Sequence, residues 1–318
     1  MGKNFMVLCN TFKAMKHALT LWRFSRPHTL IGSTLSILAI FLIAAGNYSF
    51  NGQEAHVIIP DLIRLFTISL ISALACNIYI TGLNQWSDVE VDKVNKPWLP
   101  IASGELSRRN GLIIVIVCGV ISISIAVFYS LFFAALILSI LAIGTAYSLP
   151  PLKFKRNHIA AASSIALVRG LLVNIGFYLH FYFEMFGKWQ LDKEIWPLVV
   201  FVAAFSLGIA WFKDIPDTKG DEKFDFGTLA VKAGRQRAFI AGVIVVSFAY
   251  SFILFMAATR QLPNPVFYFI SHLIALSLFL YQSNKLKVND DKKVKRFYMF
   301  FWGLFFAEYI IYPLGFYV

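Results

Sequence analysis

Charge is scarce in this sequence. Asp, Glu, Lys and Arg make up 14% of its 318 residues, whereas a typical soluble domain has about 25%. Hydrophobic residues make up 58% and the mean hydropathy is +0.67, so an ordinary soluble domain is excluded.

Cysteine is also scarce. Cys9, Cys76 and Cys118 show no pairing pattern, which indicates neither a disulfide framework nor a cysteine-based metal site.

Long apolar runs, in contrast, recur along the whole chain. They approach the roughly 20 residues that a helix needs to cross a bilayer, and they lack the alternation of a transmembrane β-strand. We therefore predict an all-α polytopic membrane protein, with an N-terminal segment at 1–28 and a single membrane domain at 29–318. The nine predicted spans are 29–46, 61–83, 111–129, 131–148, 159–182, 195–212, 237–257, 265–282 and 297–316.

Basic residues are distributed unevenly between the two sides of this bundle. The N-terminal segment and the loops after the even-numbered spans carry 24 of the 29 Lys and Arg residues. Because cytoplasmic loops are enriched in Lys and Arg, the N-terminus is predicted to be cytoplasmic and the C-terminus to lie on the opposite side. The net charge of +12 then reflects topology rather than nucleic-acid binding. The first span lacks a convincing cleavage site, and the N-terminus does not resemble a transit peptide, which favours a bacterial-type membrane over a plastid precursor.

The segment NQWSDVEVDKVNKP follows the second span and concentrates acids at one predicted cytoplasmic end. Its Asn84, Asp88 and Asp92, which we call the first acid box, are four residues apart and lie on one face of a helix. Glu90 points away from that face. Three oxygen ligands on one stripe repel each other unless a cation lies among them. Hard oxygen ligands, completed by substrate phosphates, are typical of a Mg²⁺ site.

A second acid box, Asp214, Asp217 and Asp221, lies in KDIPDTKGD at the end of the sixth span. Pro216 and Gly220 predict a helix end followed by a loop beyond Asp214. Either box alone is equally compatible with a solvated loop, because motif matches carry false positives. Their shared cytoplasmic position, among otherwise basic loops, favours two metal sites that hold a diphosphate between them.

Cations suited to phosphate oxygens are predicted near both boxes. Lys153 lies in YSLPPLKFKR and Lys213 adjoins the second box, whereas positive-inside charge alone accounts for Lys155 and Arg156. Arg169 lies inside the fifth span, where a charge is costly and marks a functional pocket by default. A structural ion pair or a snorkelling side chain is the alternative for Arg169.

Three further residues, Arg23, Arg26 and His28, flank a proline before the first span, in WRFSRPHTLIG. They are suited either to an anionic aromatic substrate or to lipid headgroups. Residue chemistry alone slightly favours the lipid.

The two acid boxes on nine spans resemble the UbiA superfamily of intramembrane aromatic prenyltransferases. The segments RFSRPHT, NKPWLPIASGELS, GTAYSLPPLKFKR, VRGLLVN and FKDIPDTKGD narrow the resemblance to the homogentisate prenyltransferases of cyanobacteria and plastids, in particular the homogentisate phytyltransferase subfamily. The resemblance extends from about residue 21 to the C-terminus. Trp86 and Trp98 are bulky departures near the predicted pocket mouth, which leaves the prenyl chain length open.

The resemblance implies a nine-helix bundle around a central cavity that opens to the cytoplasmic face. It implies that each acid box binds one Mg²⁺, and that Lys153 and Arg169, with Lys213 beside the second box, contact the diphosphate. It also implies catalytic roles for Asp88, Asp217, Tyr147 and Ser148.

The implied reaction transfers a phytyl group from phytyl diphosphate to homogentisate with loss of CO₂, in tocopherol (vitamin E) synthesis. The expected partners are a prenyl diphosphate, an aromatic acid and membrane lipid, in a cyanobacterial plasma or thylakoid membrane. Geranylgeranyl, solanesyl and other aromatic prenyltransferases are the alternatives, and Val89 argues against a chlorophyll synthase, whose first box usually reads N-D-x-x-D-R. An ion-coupled transporter is a remote alternative, since it predicts acids at mid-membrane. A soluble prenyl synthase is excluded by the nine spans.

Overall fold

The computed structural model describes residues 15–51 and 59–318, without the side chains of 47–51. Within these ranges nine helical segments are long and apolar enough to cross a membrane, which confirms the nine predicted spans. The segments are Pro27–Gly46, Ile59–Ser87, Arg108–Tyr129, Leu131–Ser148, His158–Phe186, Ile195–Lys223, Arg235–Ala258, Pro265–Lys285 and Asp291–Leu314.

The described residues are almost entirely helical, and they contain one isolated β-bridge and no strand. The chain is helical at 15–24, a 3₁₀ turn lies at Phe154–Arg156, and a π-helical segment, Leu167–Gly176, joins α6 to α7. The α-helices that follow residue 26 are α1 (Pro27–Asn51), α2 (Ile59–Ser87), α3 (Val89–Asn95), α4 (Arg108–Tyr129), α5 (Leu131–Ser148), α6 (His158–Ala166), α7 (Phe177–Phe186), α8 (Ile195–Asp214), α9 (Thr218–Lys223), α10 (Leu229–Ala233), α11 (Arg235–Ala258), α12 (Pro265–Lys285) and α13 (Asp291–Leu314).

Polar residues begin the helices where the apolar runs are interrupted. Ser130 is extended between α4 and α5, and its Oγ accepts a hydrogen bond from the backbone N–H of Phe133 at 3.2 Å. Asn157 begins α6 in the same way, by accepting from the N–H of Ile159 at 2.9 Å. Each of these side chains satisfies a backbone donor that the first helical turn leaves free. A single capping residue therefore suffices to separate α4 from α5.

α8 is the central helix of the bundle, and α12 lies at its periphery. In the most apolar 18-residue stretch of the α8 span, 72% of the residues are buried, against 22% for α12. α8 packs against α11, α13 and the π-helical segment, and α13 packs against α1, so the last span meets the first. Large side chains such as Phe128, Leu131 and Ile244 face outward, as expected where lipid surrounds the helices.

Candidate active site

Two adjoining cavities lie between the helices. The first, which we call the mouth, has a volume of about 440 Å³ and is lined by all six residues of the two acid boxes. The second, the inner cavity, has a volume of about 230 Å³ and is lined mainly by apolar side chains of the bundle. Six residues line both cavities and form a neck between them: Arg26, His28, Asn84, Tyr147, Lys213 and Tyr298.

The first acid box spans a break between two helices. α2 ends at Ser87 and α3 begins at Val89, with Asp88 between them. The backbone N–H of Asp88 still donates to the carbonyl of Asn84 at 3.1 Å, and that of Asp92 donates to the carbonyl of Asp88 at 2.8 Å. The spacing of a helix is therefore kept across the break. Asn84 Nδ2 also donates to Asp88 Oδ2 at 3.2 Å.

Asp92 is buried, and its Oδ2 has no hydrogen-bond partner among the residues that the structure describes. The pKa of Asp92 is raised to about 6, mainly by burial. The nearby carboxylates of Asp88 and Asp217 also contribute to the increase, and the cations of Lys96 and Arg26 oppose it. A carboxylate that is buried and close to other carboxylates is destabilised as an anion. A bound cation would stabilise it.

The second acid box lies on a tight turn and a short helix. Asp214 ends α8, Asp217 precedes α9, and Asp221 lies within α9. The N–H of Asp217 donates to the carbonyl of Asp214, and that of Asp221 to the carbonyl of Asp217, both at 3.1 Å. The predicted loop is therefore wrong for 218–223, because these backbone bonds let the chain resume a helix two residues after Pro216.

Asn95 and Lys96, at the end of α3, connect the two boxes. Asn95 Nδ2 donates to Asp221 Oδ1 at 3.1 Å, and Asn95 Oδ1 accepts from the backbone N–H of Gly220 at 2.9 Å. Lys96 forms an ion pair with Asp217. Side chains from one end of α3 therefore bind the second box at two points.

Sequence reasoning missed both connecting residues. Lys96 continues the four-residue spacing of Asp88 and Asp92, and that spacing is a signal that could have found it. Burial alone would lower the pKa of Lys96, but Asp217 and Asp92 outweigh burial and raise this pKa above its ordinary value. Nothing in the sequence pairs Asn95 with the second box.

Lys155 is the lysine of the YSLPPLKFKR loop that lines the mouth. It is buried, and its Nζ lies 2.7 Å from Asp88 Oδ1. Burial lowers the pKa of Lys155 to about 8, and Asp88 opposes that effect. Lys153 and Arg156 line neither cavity; their cationic groups lie 5.5 and 5.8 Å from the ring centre of Phe226.

Lys213 and Tyr147 meet in the neck. Lys213 Nζ donates to Tyr147 Oη at 2.7 Å and lies 3.8 Å from Asp214 Oδ1. Ser148 is fully buried and lines neither cavity, and its Oγ has no hydrogen-bond partner within the described part of the chain. Of the two predicted residues near the reacting centre, only Tyr147 lies on a cavity wall.

The three N-terminal residues reach different places. Arg26 Nη2 donates to Asn84 Oδ1 at 3.3 Å, and His28 meets the ring of Trp302 edge to face, with ring centres 5.0 Å apart. Both residues lie in the neck. Arg23 lies at the edge of the mouth and forms an ion pair with Glu105.

Arg169 lines the inner cavity and not the mouth. Its guanidinium carbon lies 5.0 Å from the ring centre of Trp302 and 5.9 Å from that of Phe305. Among the described residues, no Asp or Glu lines the inner cavity. The neck therefore separates Arg169 from the aspartates of both acid boxes.

The donor set of the mouth fits Mg²⁺. All the ligating atoms of the two boxes are carboxylate or amide oxygens, which Mg²⁺ prefers. Within residues 15–51 and 59–318, no three His, Cys, Asp or Glu side chains are arranged to hold a metal ion by themselves. A Mg²⁺ ion at either box would therefore need substrate or water oxygens to complete its coordination shell, as is common for Mg²⁺ bound together with phosphates.

The profile of the UbiA prenyltransferase family matches residues 33–304, a range that includes both acid boxes. The chain belongs to the UbiA prenyltransferase family. This confirms the predicted superfamily, and it makes the protein a prenyltransferase rather than a transporter.

Known proteins resemble this UbiA prenyltransferase along most of its length. It is 39% identical over 295 residues to homogentisate phytyltransferase of Synechocystis sp., covering 92% of this chain and 94% of that protein. It is 34% identical over 306 residues to homogentisate geranylgeranyltransferase of Hordeum vulgare, covering 94% of this chain and 73% of that protein. A solved structure of a UbiA homolog from Archaeoglobus fulgidus, bound to GPP and Mg²⁺, has a TM-score of 0.62 at 18% identity, covering 93% of this chain and 99% of that one. This structural likeness shows a shared fold.

The two tryptophans that depart from the subfamily pattern lie apart in this UbiA prenyltransferase. Trp98 lines the mouth, where Lys295 Nζ lies 4.4 Å from its ring centre. Trp86 lies beneath the guanidinium of Arg108, at 4.6 Å, and lines neither cavity. Only Trp98 is therefore positioned to change the shape of the mouth.

Proposed function

We propose that this prenyltransferase is a homogentisate phytyltransferase, which depends on Mg²⁺ and forms 2-methyl-6-phytylquinol for tocopherol synthesis. The observation that carries the proposal is the meeting of two acid boxes at one mouth, above an apolar cavity. Similarity to the Synechocystis enzyme supports the substrates, and the Archaeoglobus fulgidus homolog bound to GPP and Mg²⁺ supports the diphosphate and the metal. We further propose that the mouth faces the cytoplasm, since basic loops surround it.

The two acid boxes are the proposed Mg²⁺ ligands, and the metal supplies Lewis-acid stabilisation of the leaving diphosphate. Lys155 and Lys213 add fixed positive charge at the mouth and neck, where the diphosphate oxygens carry the developing negative charge. Tyr147 and Tyr298, also in the neck, are the aromatic residues proposed to stabilise an allylic cation. The apolar side chains that line the inner cavity exclude water from that cation.

The proposed reaction breaks three bonds and forms two. The C1–O bond of the prenyl diphosphate breaks, and its electron pair leaves with the diphosphate. A ring carbon of homogentisate, made electron-rich by the two hydroxyl groups, forms a bond to C1 and then loses its proton. The bond between the carboxylate and the benzylic carbon breaks, which releases CO₂, and a proton is taken up at the benzylic carbon to give the methyl group.

Membranes that contain the protein provide the direct test. They are incubated with homogentisate, Mg²⁺ and, in turn, phytyl, geranylgeranyl and solanesyl diphosphate, and the products are identified by mass spectrometry. We expect a methyl-phytyl-quinol, CO₂ and pyrophosphate, and no product after chelation with EDTA. If the protein preferred geranylgeranyl diphosphate, its prenyl donor would be the one named for the Hordeum vulgare relative instead of phytyl diphosphate. The absence of any prenylated aromatic product would overturn the proposal.

Matched substitutions test the acid boxes. Asp88→Asn and Asp217→Asn remove one charge from each box at nearly constant volume, and we expect activity to fall by about 100-fold or more because the metal site loses a negative charge. Glu90→Gln is the control: Glu90 lies two residues from Asp88, but its side chain is 68% exposed and pairs with Lys93. Activity of the control should stay within about twofold of the wild type, since exposed pairs contribute little. Full activity in both Asp variants would contradict the two-metal assignment.

A further inference from the structure

Arg169 is a cation within a membrane span, and no carboxylate of the described residues pairs with it. The ion pairs found among residues 15–51 and 59–318 do not include it. Its neighbours are the aromatic rings of Trp302 and Phe305. A charge at this depth is strongly disfavoured unless it serves a ligand or a partner, so a bound anionic ligand is the partner that this position favours.

The depth of Arg169 separates it from the metal-binding region. Ala161 lines the mouth, and Arg169, eight residues further along the same span, lines the inner cavity. Eight residues correspond to a rise of about 12 Å along a helix. A diphosphate held by the two acid boxes therefore belongs at the mouth, with Lys155 and Lys213, and leaves the inner cation available for a second anion.

The inner cavity has the charge of an anion-binding site. Its cationic residues are Arg26, Arg169 and Lys213, and within the described part of the chain no acid lines it. Arg26 already donates to Asn84, and Lys213 donates to Tyr147 and lies near Asp214. Of these three cations, Arg169 is therefore the one without a hydrogen-bond or ion-pair partner among the described residues.

The backbone around Arg169 is held in place. Asn174 Nδ2 donates to the carbonyls of Arg169 and Gly170, at 2.7 and 2.9 Å, and Asn174 Oδ1 accepts from Tyr309 Oη at 3.2 Å. Gly170 lies directly against α8, where an added Cβ would meet Ala203 Cβ at 2.6 Å. These contacts fix the π-helical segment against its neighbours, so the backbone that carries the Arg169 side chain is held in place before any ligand binds.

We propose that Arg169 binds the carboxylate of the aromatic acceptor, with the acceptor ring lying in the inner cavity beside Trp302 and below the neck. This inference rests on the proposed function, because it assumes a prenyl diphosphate at the mouth. A planar guanidinium binds a carboxylate through two parallel N–H donors, and the rings of Trp302 and Phe305 beside it provide apolar contacts for the ring of an aromatic acid. The arrangement assigns the diphosphate to the mouth and the acid to the inner cavity, and it revises the sequence-based expectation that Arg169 contacts the diphosphate.

The test compares an acid with its neutral analogue. Three constants are measured for the wild type, Arg169→Gln and Arg169→Lys. They are KM for homogentisate, the inhibition constant of homogentisate methyl ester, and KM for the prenyl diphosphate. Arg237→Leu removes an exposed guanidinium and is the control. We expect Arg169→Gln to raise KM for homogentisate by about 10-fold or more, the effect of losing one charged hydrogen bond. The ester constant and the KM for the diphosphate should change less than twofold, and Arg169→Lys should give an intermediate effect.

Other outcomes distinguish the alternatives. A rise in KM for the diphosphate with an unchanged KM for homogentisate would overturn the inference and return Arg169 to the diphosphate. Equal losses for the acid and the ester would also overturn it, because they indicate a role in packing. If the wild type fails to prenylate homogentisate, the proposed function fails, and equilibrium binding of homogentisate and its ester to the purified wild type and Arg169→Gln then decides the inference separately.

Discussion

Lys155 and Lys153 are two residues apart on one loop, and they provide a matched pair for the mouth. Lys155 is buried and forms an ion pair with Asp88, whereas Lys153 lies against Phe226 outside the lining. We expect Lys155→Met to raise KM for the prenyl diphosphate by about 10-fold or more, since a charged hydrogen bond contributes about 1.5–3 kcal/mol. Lys153→Met should change this KM less than threefold. Initial rates at saturating homogentisate measure both constants.

A larger effect in Lys153→Met than in Lys155→Met would contradict the geometry and restore the sequence-based expectation. That expectation chose Lys153 over Lys155, whereas the structure places Lys155 on the mouth, and the difference has a physical reason. Positive-inside charge accounts equally well for every lysine of a cytoplasmic loop. Only the three-dimensional course of the loop, which turns the Lys155 side chain towards Asp88 and the Lys153 side chain towards Phe226, decides which lysine reaches the mouth.

At the scale of helices, α3 and α9 are joined by Asn95 and Gly220. An added Cβ at Gly220 would lie 2.3 Å from Asn95 Oδ1, so Gly220→Ala should push the two acid boxes apart. Asn95→Ala should do so by removing both hydrogen bonds. We expect each change to raise the Mg²⁺ concentration for half-maximal activity several-fold. The stabilisation of the purified protein by Mg²⁺ with pyrophosphate, measured as a shift in Tm, should fall as well, since ligand stabilisation follows affinity.

Gly303→Ala is the control for that experiment, because an added Cβ at Gly303 meets no atom within 4 Å. It should leave both the Mg²⁺ dependence and the Tm shift unchanged. Normal Mg²⁺ dependence in Asn95→Ala and Gly220→Ala would show that the distance between the boxes is set elsewhere in the bundle.

The π-helical segment gives a second prediction at this scale. Asn174→Asp keeps the size of the side chain and removes its donor, so two buried carbonyls lose a hydrogen bond. Each unsatisfied group destabilises the fold by about 1–3 kcal/mol. We expect a lower Tm and a raised KM for homogentisate, with an unchanged KM for the prenyl diphosphate. Tyr309→Phe removes one hydrogen bond but leaves the bonds of Asn174 to the backbone, and it should affect Tm less. A change confined to KM for the diphosphate would contradict the link between Asn174 and Arg169.

The sequence predicts the spans well and their local breaks poorly. Span length follows from bilayer thickness, so continuous apolar runs suffice to locate nine helices. The π-helical segment instead involves individual side-chain hydrogen bonds, those from Asn174 to the Arg169 and Gly170 carbonyls. Hydrophobicity patterns do not record these bonds. The short helix α9 was missed for the same reason, because proline and glycine signal a break but not where the helix resumes.

At the scale of the whole molecule, the number of spans between the two acid boxes explains why both lie on the same side of the membrane. Both boxes follow even-numbered spans, so four crossings separate them and return the second box to the side of the first. This argument predicts a shared side but neither distance nor partners. The packing of α8 at the centre, and of α13 against α1, brings the boxes to one mouth, and it depends on side-chain fit across helices far apart in sequence.

The distribution of Lys and Arg between the loops also predicts how the protein is oriented in the membrane. Lys93 lies on α3 near the mouth, with its side chain 52% exposed, and Lys188 is exposed in the loop between α7 and α8, at the opposite side. In a background with Cys9, Cys76 and Cys118 replaced by Ser, Lys93→Cys and Lys188→Cys are each treated with a membrane-impermeant maleimide. We expect Lys93→Cys to react only in inside-out vesicles and Lys188→Cys only in right-side-out vesicles. The reverse pattern would place the mouth outside the cell, where cytoplasmic Mg²⁺ and prenyl diphosphate could not reach the acid boxes, and the proposed direction of substrate entry would be wrong.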